Sequence, residues 1–369
     1  MGSSRHAGAA KREVGMILVI GSYTDSLPHV QAKGSGVSLL SFDRLTGEIS
    51  PLFIFGDLRN PTYLALSHDR SKLYAVEKLS EPDGAGVATL NLDIPSRSIS
   101  LADRLPAHGD SPCHIAIDEK GKRLFVSNYM SGNLVVYELD DEGLPKGRIV
   151  DIRRSGSGPV ADRQEASHVH QAVLTPNGRH VLVCDLGADE VARYRVDESL
   201  IDPLPDMVTK VGSGSLPRHL VFSPNGRYVH VVHELANTIT SYEYGASGLR
   251  SLGEVSTLPA GYTGQSAAAA IRVHPQGRFL YASNRGHDSI AGFELVEDDG
   301  SLRPIGHFAT RGRAPRDFAI DPSGRWLVAA NQDSHALTVF SIDPTSGALT
   351  PVGEPFEIGS PVCVLFAEE

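Results

Sequence analysis

One turn, repeated along the chain, limits what this sequence can become. From Ser215 to Tyr244 the chain reads SLPRHLVFSPNGRYVHVVHELANTITSYEY, two short apolar runs joined by Pro-Asn-Gly with a third run behind them. Apolar runs flanking a Pro-Asn-Gly turn predict paired strands. Copies begin at Ser111 (SPCHIAIDEKGKRLFVSNYMSGNLVVYEL), Ser167 (SHVHQAVLTPNGRHVLVCDLGADEVARYRV), Ala268 (AAAIRVHPQGRFLYASNRGHDSIAGFEL) and Ala314 (APRDFAIDPSGRWLVAANQDSHALTVFSI), with a fainter one at Asn60 (NPTYLALSHDRSKLYAVEK). The turn glycines Gly121, Gly178, Gly226, Gly277 and Gly324 lie 57, 48, 51 and 47 residues apart. Periods of that size belong to repeat architectures.

Each unit carries a fourth, looser run such as LRSLGEV, and four short strands per unit of this length make a β-propeller blade. Six units are complete. The ends supply a seventh: SPVCVLF, 360–366, is a first strand with nothing after it, whereas MILVIGSY, GVSLLSFD and ISPLFIF are second, third and fourth strands lacking a first. The sequence predicts an all-β, seven-bladed propeller over 16–369 whose last strand closes the first blade, removing the edges an open array would expose. Residues 1–15 are expected to be a flexible leader.

A net charge of −10 argues against nucleic acid or an anionic membrane as the main partner. Three widely spaced cysteines, Cys113, Cys184 and Cys363, suggest no disulfide framework and fit a reducing compartment. The run MILVI is too short for a signal segment or a membrane span. A cytoplasmic protein is the expectation.

Positions that repeat from blade to blade are scaffold, so polar residues that differ at one repeat position are the candidates for chemistry. First strands of a propeller surround the central channel, and the residue just inside each reads Thr62, Cys113, His170, Arg218, Ala269, Arg316 and Val362. A second ring at the ends of the second strands reads Lys78, Tyr129, Leu186, Glu234, Arg285 and Gln332. His170, Arg218, Glu234, Arg285 and Arg316 should therefore converge, with Lys78, Tyr129 and Gln332 beside them. Several basic groups at one mouth suit a small anion held by directional arginine contacts. The alternative is a set of rim ion pairs such as Arg218 with Glu234. His168 and His170, in SHVH, are a possible metal pair that no carboxylate-rich motif supports, and no metal or cofactor is expected. His114 and His219 are expected between blades. Gly-x-Ser-x-Gly and phosphate-loop motifs do not occur.

From Met16 to Phe366 the chain resembles the propeller lactonase family, which includes bacterial 6-phosphogluconolactonases of the propeller type and fungal carboxy-cis,cis-muconate cyclases. The segments that carry the resemblance are DRQEASHVHQAVLTPNGR, SLPRHLVFSPNGRYVHVVHEL, GRFLYASNRGHDSIAGFEL and APRDFAIDPSGRWLVAANQDS. The resemblance implies a cofactor-independent site at the channel mouth, its catalytic histidine, arginine and glutamate falling on His170, Arg218 and Glu234 and its SNRG arginine on Arg285. The resulting expectation is a lactonase acting on 6-phosphoglucono-1,5-lactone. In it His170 is the base, oriented by Glu234, Arg218 faces the carbonyl oxygen, Arg285 and Arg316 hold the phosphate, and Arg163 and Gln164 close over the ligand. A muconate-type cycloisomerase and a non-enzymatic scaffold for protein partners are the alternatives.

Overall fold

The run MILVI is apolar on both faces because it is buried on both. Side chains alternate across a strand. In Met16–Ser22 they sort accordingly: Met16, Leu18 and Ile20 pack with Trp326, Val328 and Ala330, whereas Ile17 and Val19 pack with Leu64 and Leu73. Each face thus meets a different neighbouring sheet. Fully burying each such side chain is worth about 1.5–3 kcal/mol.

The computed structural model describes residues 16–197 and 201–368, so the expected leader lies outside the described residues. Seven four-stranded antiparallel sheets, here blades 1 to 7, form the propeller. The inner strands of blades 2 to 7 are Leu64–Leu66, Pro112–Ile117, Val169–Leu174, Pro217–Phe222, Ala267–Val273 and Pro315–Ile320. The inner strand of blade 1 is Pro361–Glu368, from the other end of the chain. It pairs antiparallel with Met16–Ser22, Leu18 opposite Phe366 and Ile20 opposite Val364. The predicted closure is therefore the one observed. No α-helix occurs among the described residues, and no helix is long and apolar enough to cross a membrane.

The repeated turn does two jobs. At Gly226 the backbone is left-handed (φ +69°), a conformation glycine adopts without steric cost, and Asn225 Oδ1 accepts from Ser223 Oγ at 2.7 Å and from the Arg227 amide at 3.0 Å. The recurrent asparagines at the ends of second strands tie strands together: Asn128, Asn284 and Asn331 donate to the carbonyls of Ala107 (3.0 Å), Thr257 (2.7 Å) and Thr310 (3.3 Å). Blade 4 has Asp185 at this position. There the Arg154 guanidinium, arriving from the end of blade 3, binds the carboxylate at 2.7 Å and also reaches Tyr194 and Glu190.

Candidate functional site

Two backbone devices bring the rings together. In each of blades 3, 4, 5 and 7 one residue near the start of the inner strand has no partner opposite, because the register slips between Pro112 and His114, Val169 and Gln171, Pro217 and His219, and Pro315 and Asp317. The extra residues are Cys113, His170, Arg218 and Arg316, and Val362 occupies the same slip in blade 1. A bulge adds a residue without shifting the rest of the strand, so a side chain is re-aimed while the blade keeps its packing. Except for Arg285, which ends its own second strand, the second ring lies one residue beyond each second strand. Its amides donate to the carbonyl two residues ahead of each bulge: Tyr23 to Ser360, Lys78 to Asn60, Tyr129 to Ser111, Leu186 to His168, Glu234 to Leu216 and Gln332 to Ala314, all at 2.8–3.1 Å. Five of these acceptors, Asn60, Ser111, Leu216, Ala314 and Ser360, are left-handed without being glycine. Strained backbone of this kind persists where the surroundings over-determine it.

Glu234 is the hub of the mouth. Its side chain is 6% exposed; Oε1 accepts from Arg163 Nη2 at 2.7 Å, and Oε2 lies 3.1 Å from Arg285 Nη2 and 3.2 Å from Arg218 Nε. The Arg218 contact is an ion pair without hydrogen-bond direction; Arg218 Nη1 instead donates to the Ala269 carbonyl at 2.7 Å. Arg285 lies along the same strand, donating to the Ala267 and Ala268 carbonyls at 3.3 Å. Small residues in blade 6 leave room for both arginines. Burial alone would raise the Glu234 pKa, but Arg285, Arg163 and Arg218 outweigh it and hold the carboxyl well below its usual range.

His170 is buried against the edges of Tyr129 and His219, ring centroids 5.7 and 5.1 Å away, and its Nδ1 has no hydrogen-bond partner. The expected orienting bond from Glu234 is absent: three guanidinium groups already surround its two oxygens. Burial first, and the Arg218 charge second, push the His170 pKa well below the ordinary imidazole value, so the ring is neutral at pH 7. Burial and then Arg285 and Arg316 lower Arg218 to about 9, which leaves it charged. Cys113 is a thiol, raised to about 11 by burial.

Arg316 and Lys78 form a second group around a residue the ring analysis missed. Tyr23 follows MILVIGS as Glu234 follows YVHVVH, so the repeat register does place it in the second ring; the split first blade obscured it. Lys78 Nζ lies 3.2 Å from the Tyr23 hydroxyl, and the Arg316 guanidinium lies 5.7 Å from the centre of its ring. Burial alone would raise the Tyr23 pKa, yet Arg316 and Lys78 bring it below the usual phenol value. Arg218 links the two groups, lining with Lys78 and Arg316 a small cavity at the floor of the mouth.

Other expected residues have different surroundings. Gln164 is fully buried: its Nε2 donates to the Leu186 carbonyl at 3.0 Å and its Oε1 accepts from the Val160 amide at 3.2 Å, so it pins the 158–164 loop and offers a ligand nothing. Arg163, from that loop, does reach the mouth. Gln332 donates to Asp333 at 2.8 Å. Tyr129 is stacked on His168 at 4.4 Å, and its hydroxyl lies 3.4 Å from Arg163. His168 has both nitrogens engaged, Nδ1 with the Tyr129 carbonyl at 2.9 Å and Nε2 with Glu165 at 3.1 Å. His114 and His219 do pack from blade to blade: with Tyr63 of blade 2 they form a ring cluster, His114 and Tyr63 4.3 Å apart.

Residues 17–366 match the family model described as "Lactonase, 7-bladed beta-propeller". The chain belongs to this lactonase family. It is similar to proteins named 6-phosphogluconolactonase from Bacillus subtilis, 33% identical over 82% of this chain and 84% of that one, and from Formosa agariphila, 33% identical over 82% and 86%. Among solved structures, the periplasmic gluconolactonase of Pseudomonas aeruginosa is 29% identical, with a TM-score of 0.88 over 95% of this chain and 99% of that one. This chain is thus a lactonase-type hydrolase acting on a small lactone, and the scaffold alternative falls away. As in any lactonase, the reaction needs a base for water and a stabiliser for one oxyanion. The mouth holds a neutral imidazole and a charged, anchored guanidinium.

Proposed function

We propose that this lactonase hydrolyses a small anionic sugar lactone, 6-phosphoglucono-1,5-lactone, to 6-phosphogluconate. The observation that carries the reading is charge. Five cations share the mouth: Arg163, Arg218 and Arg285 surround Glu234, while Lys78 and Arg316 stand around Tyr23 with no carboxylate at ion-pair distance among the described residues. Lys78 and Arg316 are half-buried and leave the mouth with surplus positive charge, so it favours a ligand that brings negative charge. The names of the Bacillus and Formosa relatives point the same way.

In this reading His170 takes a proton from water as the water oxygen bonds to the lactone carbonyl carbon. Arg218 faces the oxyanion that forms. The bond from that carbon to the ring oxygen then breaks, and the His170 proton passes to the departing oxygen. Lys78 and Arg316 take the phosphate; Arg285, expected there, is held by Glu234 and with Arg163 keeps that carboxylate and Arg218 in place. Glu234 thereby acts as a positioning residue. We place the enzyme in the cytoplasm on the strength of its three unpaired, buried cysteines; fractionation of the source cells checks this, since the Pseudomonas neighbour is periplasmic.

The deciding experiment compares kcat/KM for the phosphorylated lactone and for unphosphorylated glucono-1,5-lactone, with spontaneous hydrolysis subtracted. A preference of 100-fold or more, on the order of 3 kcal/mol, is expected for the phosphorylated substrate. Equal values, or turnover confined to a carboxymuconate control, would remove the phosphate from the mechanism.

A further inference from the structure

Where the mouth ring meets Tyr63 and His219 lies a cavity of about 10 Å³. That is room for one water-sized body and too little for a phosphate or a carboxylate. Its wall includes Lys78, Arg218 and Arg316, the Thr62 hydroxyl and the Cys113 thiol. Thr62 is 5% exposed, and its Oγ1 has no hydrogen-bond partner. A buried hydroxyl left unsatisfied beside a cavity is an unmet donor. Asp317 also lines the cavity, but its carboxylate is occupied on both oxygens, by Arg272 at 2.8 Å and by the Val364 amide at 3.0 Å. Of the other lining residues Lys78, Arg218, Arg316, Thr62 and Cys113 carry donors, Tyr63 and His219 are the aromatic part of the wall, and Val362 is apolar.

The geometry points to a site for a single monatomic anion, a chloride-class halide, held in this cavity by Lys78, Arg218, Arg316 and the Thr62 hydroxyl. A water there would satisfy Thr62 and leave the charge imbalance as it is. A halide does both: it accepts from the hydroxyl and supplies the counter-charge that Lys78 and Arg316 lack. It keeps the cations at the mouth floor from repelling one another before substrate arrives. The site is independent of which lactone is turned over, and its test reads no catalysis.

Crystals of the full chain soaked in sodium bromide should show an anomalous-scattering peak in this cavity. In solution, bromide and chloride should raise the unfolding midpoint more than acetate at equal ionic strength. The substitution Thr62→Val removes the hydroxyl and no charge; loss of a hydrogen bond to an ion, about 1.5–3 kcal/mol, should weaken the bromide midpoint by roughly 10-fold or more. Arg316→Gln, elsewhere in the same lining, should weaken it as well. Bromide absent from the cavity at saturating salt, or halides and acetate stabilising equally in wild type and both variants, would overturn the site and leave a buried water in its place.

Discussion

Replacing Glu234 by Gln keeps the shape of the hub and removes its charge. Three guanidinium groups would then face one another around a neutral amide. At the observed separations of 2.7, 3.1 and 3.2 Å, each lost attraction is about 5–6 kcal/mol gross at an effective dielectric of about 20. Most of that offsets desolvation in the native protein, and Arg163, 39% exposed, contributes least. The net loss on removing one partner of a buried ion pair is about 3–5 kcal/mol. Urea unfolding of the two proteins at pH 7.5 measures it.

A second readout separates charge from shape. With its internal counter-ion gone, the variant should gain more from added phosphate than wild type does: at 100 times the dissociation constant, bound anion stabilises by about 2.7 kcal/mol. Turnover should fall together with that stability, because Arg218 is no longer held toward the reacting carbonyl. If Glu234→Gln unfolds within about 1 kcal/mol of wild type and responds to phosphate equally, Glu234 does not organise the mouth, and the ion pairs around it are incidental rim contacts.

Four further outcomes follow from the same geometry. His170→Ala should lower kcat by about 10²–10⁴-fold with little change in KM; wild-type kcat would remove His170 as base. Because burial and Arg218 depress the His170 pKa, the acid limb of kcat/KM should lie well below pH 6.5, and a bound anion should move the limb of kcat upward; a limb at 6.5 or above in both would contradict the assignment. Arg316→Ala and Lys78→Met should chiefly raise KM for the phosphorylated lactone, and a KM unchanged in both would place the phosphate elsewhere. Stability itself should fall with pH. Burial holds His114 at about 3 and His230 at about 4, with His170 and His219 also well below normal. These rings stay neutral in the folded protein while the unfolded chain protonates them below about pH 6.5. Each then removes about 1.4 kcal/mol per pH unit from 6.5 down toward its folded pKa; urea midpoints flat between pH 7.5 and 5 would rule this out.

The propeller was legible because each blade repeats the same packing problem. Leu66, Ile117, Leu174, Phe222, Val273 and Ile320 end inner strands as the internal alignment requires, and the orphan runs at the two ends pair as their pattern demands. The two rings were legible for the same reason, since a departure from the repeat shows only against a known register. Side-chain direction was not. Whether Glu234 turns toward His170 or toward three arginines depends on Arg163, which a 15-residue excursion between strands, 154–168, delivers to the mouth. No periodicity marks such a loop. Gln164, its neighbour in sequence, has the right chemistry for a ligand and is instead part of the loop's own hydrogen bonding.

The bulges explain how a closed propeller carries charge so near its axis. An inner strand in regular register alternates, and its inward positions would have to pack against neighbouring blades. Inserting one unpaired residue gives a blade a side chain outside that constraint. Where chemistry is not needed the position is Val362 or Ala269; where it is, the same backbone presents His170, Arg218 or Arg316. In six blades the second ring is held to the first by one backbone hydrogen bond, so side chains can change at either ring without altering what joins them. This makes Leu216 instructive. It has no polar role, is fully buried, and holds a left-handed φ of 62° while accepting the Glu234 amide. For a side chain branched at Cγ that conformation costs on the order of 1–2 kcal/mol, and it sits one residue from Pro217, directly ahead of Arg218. The left-handed turn there brings the Leu216 carbonyl to 2.8 Å from the Glu234 amide, in the blade that supplies both Arg218 and Glu234.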